Sequence, residues 1–439
     1  MIVVIILKNN EKRDEIIMRS VLFIFICITF SVNAVFGMEG VHSRERLHSV
    51  KEVIGQVTKM QDKNVSMVDS FKHMFEDAKV SGQIRTIYAG YEQKKEDVQD
   101  SYATAVGGIL KYELAEFNGF NAGVALYTSQ DIPFASGRSL QHNPELSSDH
   151  AKYSDVHEAY LNYKYKDFNI RVGRQRLDTP LADSDDIRMI PNSFEAYVAS
   201  YNYEGFAFMG GHINSWQGVD ANLSGGWSKT GSDGVNFAGV AYSERYELNL
   251  WLYNITGYTN ALYFDTGINY NITPNALFHG MVQYLQEEEL SKSAYDALIY
   301  GAMAEVVVRG LSLNVAYNRT DTSNAKQTFA GTGGGRLFTS LDTITLDSIA
   351  IDREAQAIVS GISYNYSNLN LLYAYGAFFG GKNSNGQKAN IVEQNIGLEF
   401  NVNEAFVLSA IYVLEDDRSS SIKTANDWNR AQVMMHYNF

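Results

Sequence analysis

Apolar and polar residues alternate with a period of two along most of this chain, and the alternation runs to the final residue. In "RAQVMMHYNF" (430–439), Val433, Met435, Tyr437 and Phe439 fall on one face, and Arg430, Gln432, Met434, His436 and Asn438 on the other. Side chains that switch sides at every residue mark an extended strand. An aromatic at the last position predicts a strand paired to its very end, because free termini are usually polar and frayed. From residue 79 onward the pattern predicts eighteen strands of about ten residues each, from 79–91 to 428–439. In 102–114, Tyr102, Val106, Leu110, Tyr112 and Leu114 oppose Ala103, Gly107, Lys111 and Glu113. In 157–166, His157, Ala159, Leu161, Tyr163 and Tyr165 oppose Glu158, Tyr160, Asn162, Lys164 and Lys166.

The connections alternate too. Joins from even to odd strands are tight ("KDF", "NYEG", "VRG", "SN"), whereas most joins from odd to even strands are long, as at 129–156, 174–193, 215–234 and 319–357. Short turns at one end and extended loops at the other are the signature of a transmembrane barrel. Strands of about ten residues suit a tilted crossing of a bilayer. Unpaired amides in hydrocarbon cost several kcal/mol each, so such strands must close on themselves. Aromatics cluster near strand ends ("YLNYKY", "YNYEGF", "YNYSN"), as expected of an interfacial girdle. The expected fold is an all-β transmembrane antiparallel barrel of about 18 strands, with a short helical N-terminal extension.

The front of the chain is different. "MRSVLFIFICITFSVNAVFG" (18–37) has a basic flank, an apolar run and small residues at Ala34 and Gly37, the pattern of a secretory signal peptide. Residues 1–37 are therefore expected to be leader and signal peptide, with translation beginning at Met18. Residues 38–78 are expected to form a helical periplasmic extension, because Leu47, Val50, Ile54 and Val57, then Val68, Phe71 and Phe75, recur at helical spacing. Residues 79–439 are the barrel.

Composition adds two exclusions. The only cysteine, Cys27, lies in the apolar run of the leader, so no disulfide framework is expected. Without residues 1–37 the balance is 32 basic against 47 acidic residues, or −15, which argues against nucleic acid as a partner. Several long joins are net acidic: 92–101, 129–156 and 415–427 each carry four acids against two bases. Two readings follow: a mouth that gathers cations over a Debye length of about 8 Å, or divalent bridging to lipopolysaccharide.

Certain stretches also carry a resemblance. "SFKHMFEDAKVSGQIRTIYAGY" (70–91), "FNIRVGRQRLDTPLADSDDIRMIPNSFEAY" (168–197) and the ending "HYNF" resemble outer-membrane porins of the OprD type. Eighteen strands is that family's number, and the resemblance covers roughly residues 70–439. It implies passive conduction of small solutes, amino acids or organic acids among them, across the bacterial outer membrane. It implies a constricting loop at 174–193 in which Arg174, Gln175, Asp183, Asp185, Asp186 and Arg188 narrow the pore. It also implies that Tyr437 and Phe439 form the signal read by the outer-membrane assembly machinery.

Strand parity supplies the candidate pore wall. Arg85, Lys111, Lys164, Arg171 and Arg430 fall on polar faces of strands that closure brings together, and would form a basic stripe. Glu195, Glu247, Glu305, Glu393 and Glu399 are expected inward on other strands, giving a transverse field that orients zwitterions. "GTGGG" (331–335) lacks the Lys-Ser/Thr of a phosphate loop and is expected to be a flexible segment folding into the mouth. "DSDD" (183–186) lacks the spacing of a calcium loop and is assigned to the pore lining. His157 and His436 are assigned to the barrel wall, and no nucleophile motif points to an enzyme. No cofactor or metal is expected. A general cation-favouring porin, an adhesin and a barrel lipase stand as alternatives, and monomer and trimer both stay open.

Overall fold

The computed structural model describes residues 67–146, 152–218, 223, 226–244, 246–333 and 336–439. Helix α1 (Met67–Glu76) precedes eighteen strands: β1 (Lys79–Gln93), β2 (Ser101–Glu113), β3 (Phe120–Asp131), β4 (Lys152–Tyr165), β5 (Phe168–Gln175), β6 (Ser193–Tyr203), β7 (Phe206–Gln217), β8 (Val235–Ser243) and β9 (Tyr246–Ile255). These are followed by β10 (Thr259–Thr273), β11 (Ala276–Glu289), β12 (Ala297–Val308), β13 (Leu311–Asp321), β14 (Glu354–Tyr366), β15 (Leu369–Gly380), β16 (Ala389–Asn401), β17 (Phe406–Asp417) and β18 (Trp428–Asn438). A short helix, α2 (Leu346–Ile349), lies in the β13–β14 connection. Each strand pairs antiparallel with its neighbours in sequence, and β1 pairs with β18, so the sheet is closed.

Closure reaches the last residue. Phe439 and Gly82 exchange two backbone hydrogen bonds, at 3.0 and 3.1 Å. Val433, Met435, Tyr437 and Phe439 face outward, while Arg430, Gln432 and Met434 are buried inside. Parity thus works as expected on this strand: the lipid-facing row is apolar and the lumen row mixed. Outward aromatics gather beside the tight turns, among them Tyr165, Tyr203, Tyr246, Tyr270 and Tyr366. At two of those turns, Glu204-Gly205 and Arg309-Gly310, both residues take positive φ, which matches the twist of a two-residue hairpin.

Helix α1 sits at the tight-turn end, where the Ala115 N–H donates to the Met74 carbonyl at 3.0 Å and Phe71 packs edge-on against Phe117. The predicted helical residues Leu47, Val50, Ile54 and Val57, like the whole leader, lie outside the described residues.

The largest apolar cluster lies within the cylinder. Leu337, Leu341, Ile344, Leu346 and Ile349, from the 322–353 loop, pack with Leu177, Leu181, Phe194, Trp251 and Phe378. Burial of each such aliphatic side chain contributes roughly 1.5–3 kcal/mol, so this loop is a docked part of the lumen. The described part of the "GTGGG" stretch, residues 331–333, is correspondingly packed against the other inner loop. A Cβ on Gly333 (φ +66°) would fall 2.3 Å from Asn192 Nδ2 and 2.4 Å from the Asp183 carbonyl oxygen. Glycine is there because the backbone of one inner loop lies directly against the other.

The register shifts between β3 and β4, between β6 and β7 and at the β10–β11 turn, and the first of these reverses a face. β4 carries an extra residue relative to β3, so that Ala125 pairs with Glu158 and Leu126 with Val156. The bulge turns His157 inward, correcting its assignment to the apolar outer row. Its ring stacks on Tyr127 with centroids 4.6 Å apart, and its Nδ1 lies 3.1 Å from Ser193 Oγ.

Candidate functional site

Two loops enter the lumen and narrow it: 176–192, between β5 and β6, and 322–353, between β13 and β14. They lie against each other. The Asp183 N–H donates to the Thr332 carbonyl and the Thr332 N–H to the Leu181 carbonyl, both at 3.0 Å. β5 is only eight residues long because the chain leaves the wall after Gln175 to enter the channel.

The 176–192 loop is held to the wall by charge. Arg85 on β1 donates through Nη1 to Asp186 Oδ1 at 2.6 Å and to the Arg188 carbonyl at 2.6 Å. Arg176 reaches the other carboxylate oxygen of Asp186 at 2.8 Å, and its Nε lies 3.2 Å from the Tyr127 hydroxyl. The Tyr127 hydroxyl donates to Glu158 at 2.8 Å, and Lys111 Nζ donates to the second oxygen of Glu158 at 2.9 Å. Burial alone would raise the Asp186 carboxyl, but Arg85 and Arg176 carry it well below the usual carboxylate range.

A second charge cluster pins three loops to the last strand. Arg430 on β18 binds Glu145 (2.7 Å) from the 132–151 loop and Asp342 (2.7 Å) from the 322–353 loop. Arg188 stands 3.9 Å from Glu145 and 3.6 Å from Asp342. The Tyr91 hydroxyl donates to Glu145 at 2.6 Å. Burial pushes Glu145 up, yet Arg430 and Arg188 outweigh it and hold the carboxyl at about 2.

Of the six residues assigned to the constriction, Asp186 and Arg188 belong to these networks. Asp183 and Asp185 shape the turn that presents them: Asp183 Oδ1 accepts the Asp185 N–H at 2.9 Å, and Asp185 has φ +40°. Gln175 is buried in the wall, donating to the Ala196 carbonyl at 3.0 Å. Arg174 and Glu195 are placed otherwise than expected. They pair across β5 and β6, and by alternation they share the outward row of Val172 and Tyr197, not the lumen row of Arg171 and Gln175. Their 3.1 Å ion pair, with Arg174 also donating to the Val156 carbonyl, bridges β4 to β6 where β5 leaves the sheet.

Arg85, Lys111 and Arg430 fall on inward rows of the adjacent β1, β2 and β18, and Lys164 and Arg171 on inward rows of β4 and β5, beyond β3. Arg171 lies over the Tyr160 ring at 4.4 Å and donates to Asn162 at 3.2 Å. The acids on other strands do not face open water. Glu247, Glu393 and Glu399 are buried, Glu247 accepting from Asn269 (2.7 Å), Glu393 from Asn395 (2.8 Å) and Glu399 from Asn370 (3.0 Å). Glu305, also buried, accepts from the Ser312 hydroxyl at 2.5 Å. The docked 322–353 loop and its apolar cluster line that side.

Sequence reasoning missed Arg176, Glu145, Glu158 and Asp342. For Arg176 the signal was its place as the first residue past the strand end, where the alternation of faces no longer applies. For Glu145 and Asp342 none existed, because loop residues carry no parity.

The family model for "outer membrane porin, OprD family" matches residues 72–348. Among solved structures, a BenF-like porin from Pseudomonas fluorescens Pf-5 superposes with TM-score 0.72 at 14% identity, covering 83% of this chain and 99% of that one. Pseudomonas aeruginosa OpdK with vanillate gives 0.70 at 14% identity, with coverage of 83% and 99%. Acinetobacter baumannii OccAB4 gives 0.68 at 15% identity, with coverage of 82% and 98%. At such identities the superpositions establish the fold. Among curated proteins none matches.

Proposed function

We propose that this chain, which belongs to the OprD family of outer-membrane porins, prefers small organic solutes bearing a carboxylate, amino acids and organic acids among them. As a porin it is a passive channel of the Gram-negative outer membrane, and the related proteins are channels rather than enzymes.

The preference rests on which charges remain open to water. In the Arg85–Asp186–Arg176 group, the Arg85 side chain is 4% exposed, whereas that of Arg176 is 34% exposed. Lys111 is a quarter exposed while its partner Glu158 is nearly covered. A solute passing Asp186 therefore meets cations with unused donors, and an arginine fork binds a carboxylate through two parallel bonds. The OpdK structure holds vanillate, itself a carboxylate, which agrees with this reading. On the same reading Asp186, Arg188, Arg176 and Lys111 set the constriction, and the outward Tyr437 and Phe439 present the assembly signal.

Single-channel recording in a planar bilayer tests the preference. Added benzoate, vanillate or acidic amino acids should reduce potassium chloride current in a saturable way, with neutral sugars inert. Absence of saturable block by any carboxylate, together with strong cation selectivity, would instead mark a general cation-favouring pore governed by its acidic loops.

A further inference from the structure

The outer face of the barrel holds a groove that the conduction pathway does not use. It lies at the long-loop end of β13–β17, has a volume of about 500 Å³, and is lined by Arg319, Glu354, Phe379, Lys388 and Arg418 among others. Arg319 stands on the outward row of β13, above Tyr317, Val315 and Leu313, so the groove begins where the apolar belt ends. Tyr317, which donates to Gln356 at 3.0 Å, marks that border. Gly380 and Gly381 help to line the groove; a Cβ on Gly381 would approach Glu354 Cγ to 3.0 Å.

Three cations and one carboxylate line this groove. Arg319 and Arg418 are paired with Glu354 and Asp416, each at 3.0 Å, but about half of each arginine side chain stays exposed. Lys388 is exposed and has no ion pair among the described residues. Exposed pairs of this kind are worth little, so a ligand with a denser negative charge displaces the carboxylates readily. In the outer leaflet that charge is a lipid phosphate, carried at this depth with acyl chains alongside Val315 and Ile358.

We propose that the groove binds the phosphate of a phosphorylated glycolipid of the outer leaflet, through Arg319, Lys388 and Arg418 directly and without a bridging divalent cation. The experiment uses the full-length porin in detergent micelles containing EDTA, with bis-phosphorylated lipid A and fully dephosphorylated lipid A as probes and native mass spectrometry as the readout. The phosphorylated lipid should be retained about fivefold or more better than the dephosphorylated one, and R319A/K388A/R418A should lose that advantage. Heat-modifiable mobility and conductance should be unchanged in the variant; should it fail to fold, K388Q alone should weaken retention about twofold. Millimolar inorganic phosphate should not displace the lipid. Equal retention of the two lipids, unchanged retention in the variants, retention that requires calcium, or full displacement by free phosphate would each overturn the proposal.

Discussion

Arg430 and Asp342 meet at 2.7 Å although 88 residues separate them, and both side chains are wholly shielded from solvent. One belongs to the strand that closes the barrel, the other to a loop that descends into it. With Glu145 on its second side, Arg430 fastens two inner loops to a single wall position.

Replacing Arg430 by leucine leaves two carboxylates in the lumen without their main cation. Removing one partner of a buried ion pair costs about 3–5 kcal/mol. The cost should fall on loop docking, because the strand hydrogen bonds of β18 stay intact. Single-channel conductance should rise and become noisier, while heat-modifiable mobility persists.

Arg174 and Arg176 should behave oppositely despite being two residues apart. Arg176→Ala removes an exposed cation from the constriction, so the cation-over-anion permeability ratio should rise about twofold or more. Arg174→Ala should leave reversal potentials unchanged and lower the temperature at which the barrel unfolds in detergent, since it loosens the β4–β6 bridge. A selectivity change in Arg174→Ala of the size seen in Arg176→Ala would contradict the outward placement.

Gly333→Ala should undock the inner loops. Its Cβ has no room, and its φ of +66° is unfavourable for alanine. Gly386→Ala supplies the control: it also has positive φ, +75°, but a Cβ there meets nothing within 4 Å. Current fluctuation should increase in the first variant and not in the second.

Acid should break the Asp186 and Glu145 attachments of the loops at low pH. Asp186 and Glu145 are both held below their unfolded values of about 3.9 and 4.3. Their stabilisation is therefore complete above about pH 4.5 and is lost as pH falls through the folded values, near about 2 for Glu145. Conductance at constant chloride, corrected for proton current, should therefore climb below about pH 4.5, and R430L should lack that climb.

What the sequence revealed and hid follows from how each feature is encoded. Lipid on one side and water on the other imposes a period of two, so the eighteen strands, the closing pair and the inward set Arg85, Lys111, Lys164, Arg171 and Arg430 could be read directly. His157 could not, because a single inserted residue in β4 reverses the faces and leaves no mark in composition. Arg174 was misplaced by following a motif where parity pointed the other way. The docking of the 322–353 loop depends on contacts such as Thr332 with Leu181, between segments about 150 residues apart, and only the glycines hinted at so close an approach.

The two hydrogen bonds between Gly82 and Phe439 also dictate a timetable. The first strand, β1, has no partner on one side until β18 has been made and lies beside it. Until that pairing forms, the sheet carries two unpaired edges, each a template for association with another strand. A chain without β18 would keep an open seam between β17 and β1, with no strand to seal it.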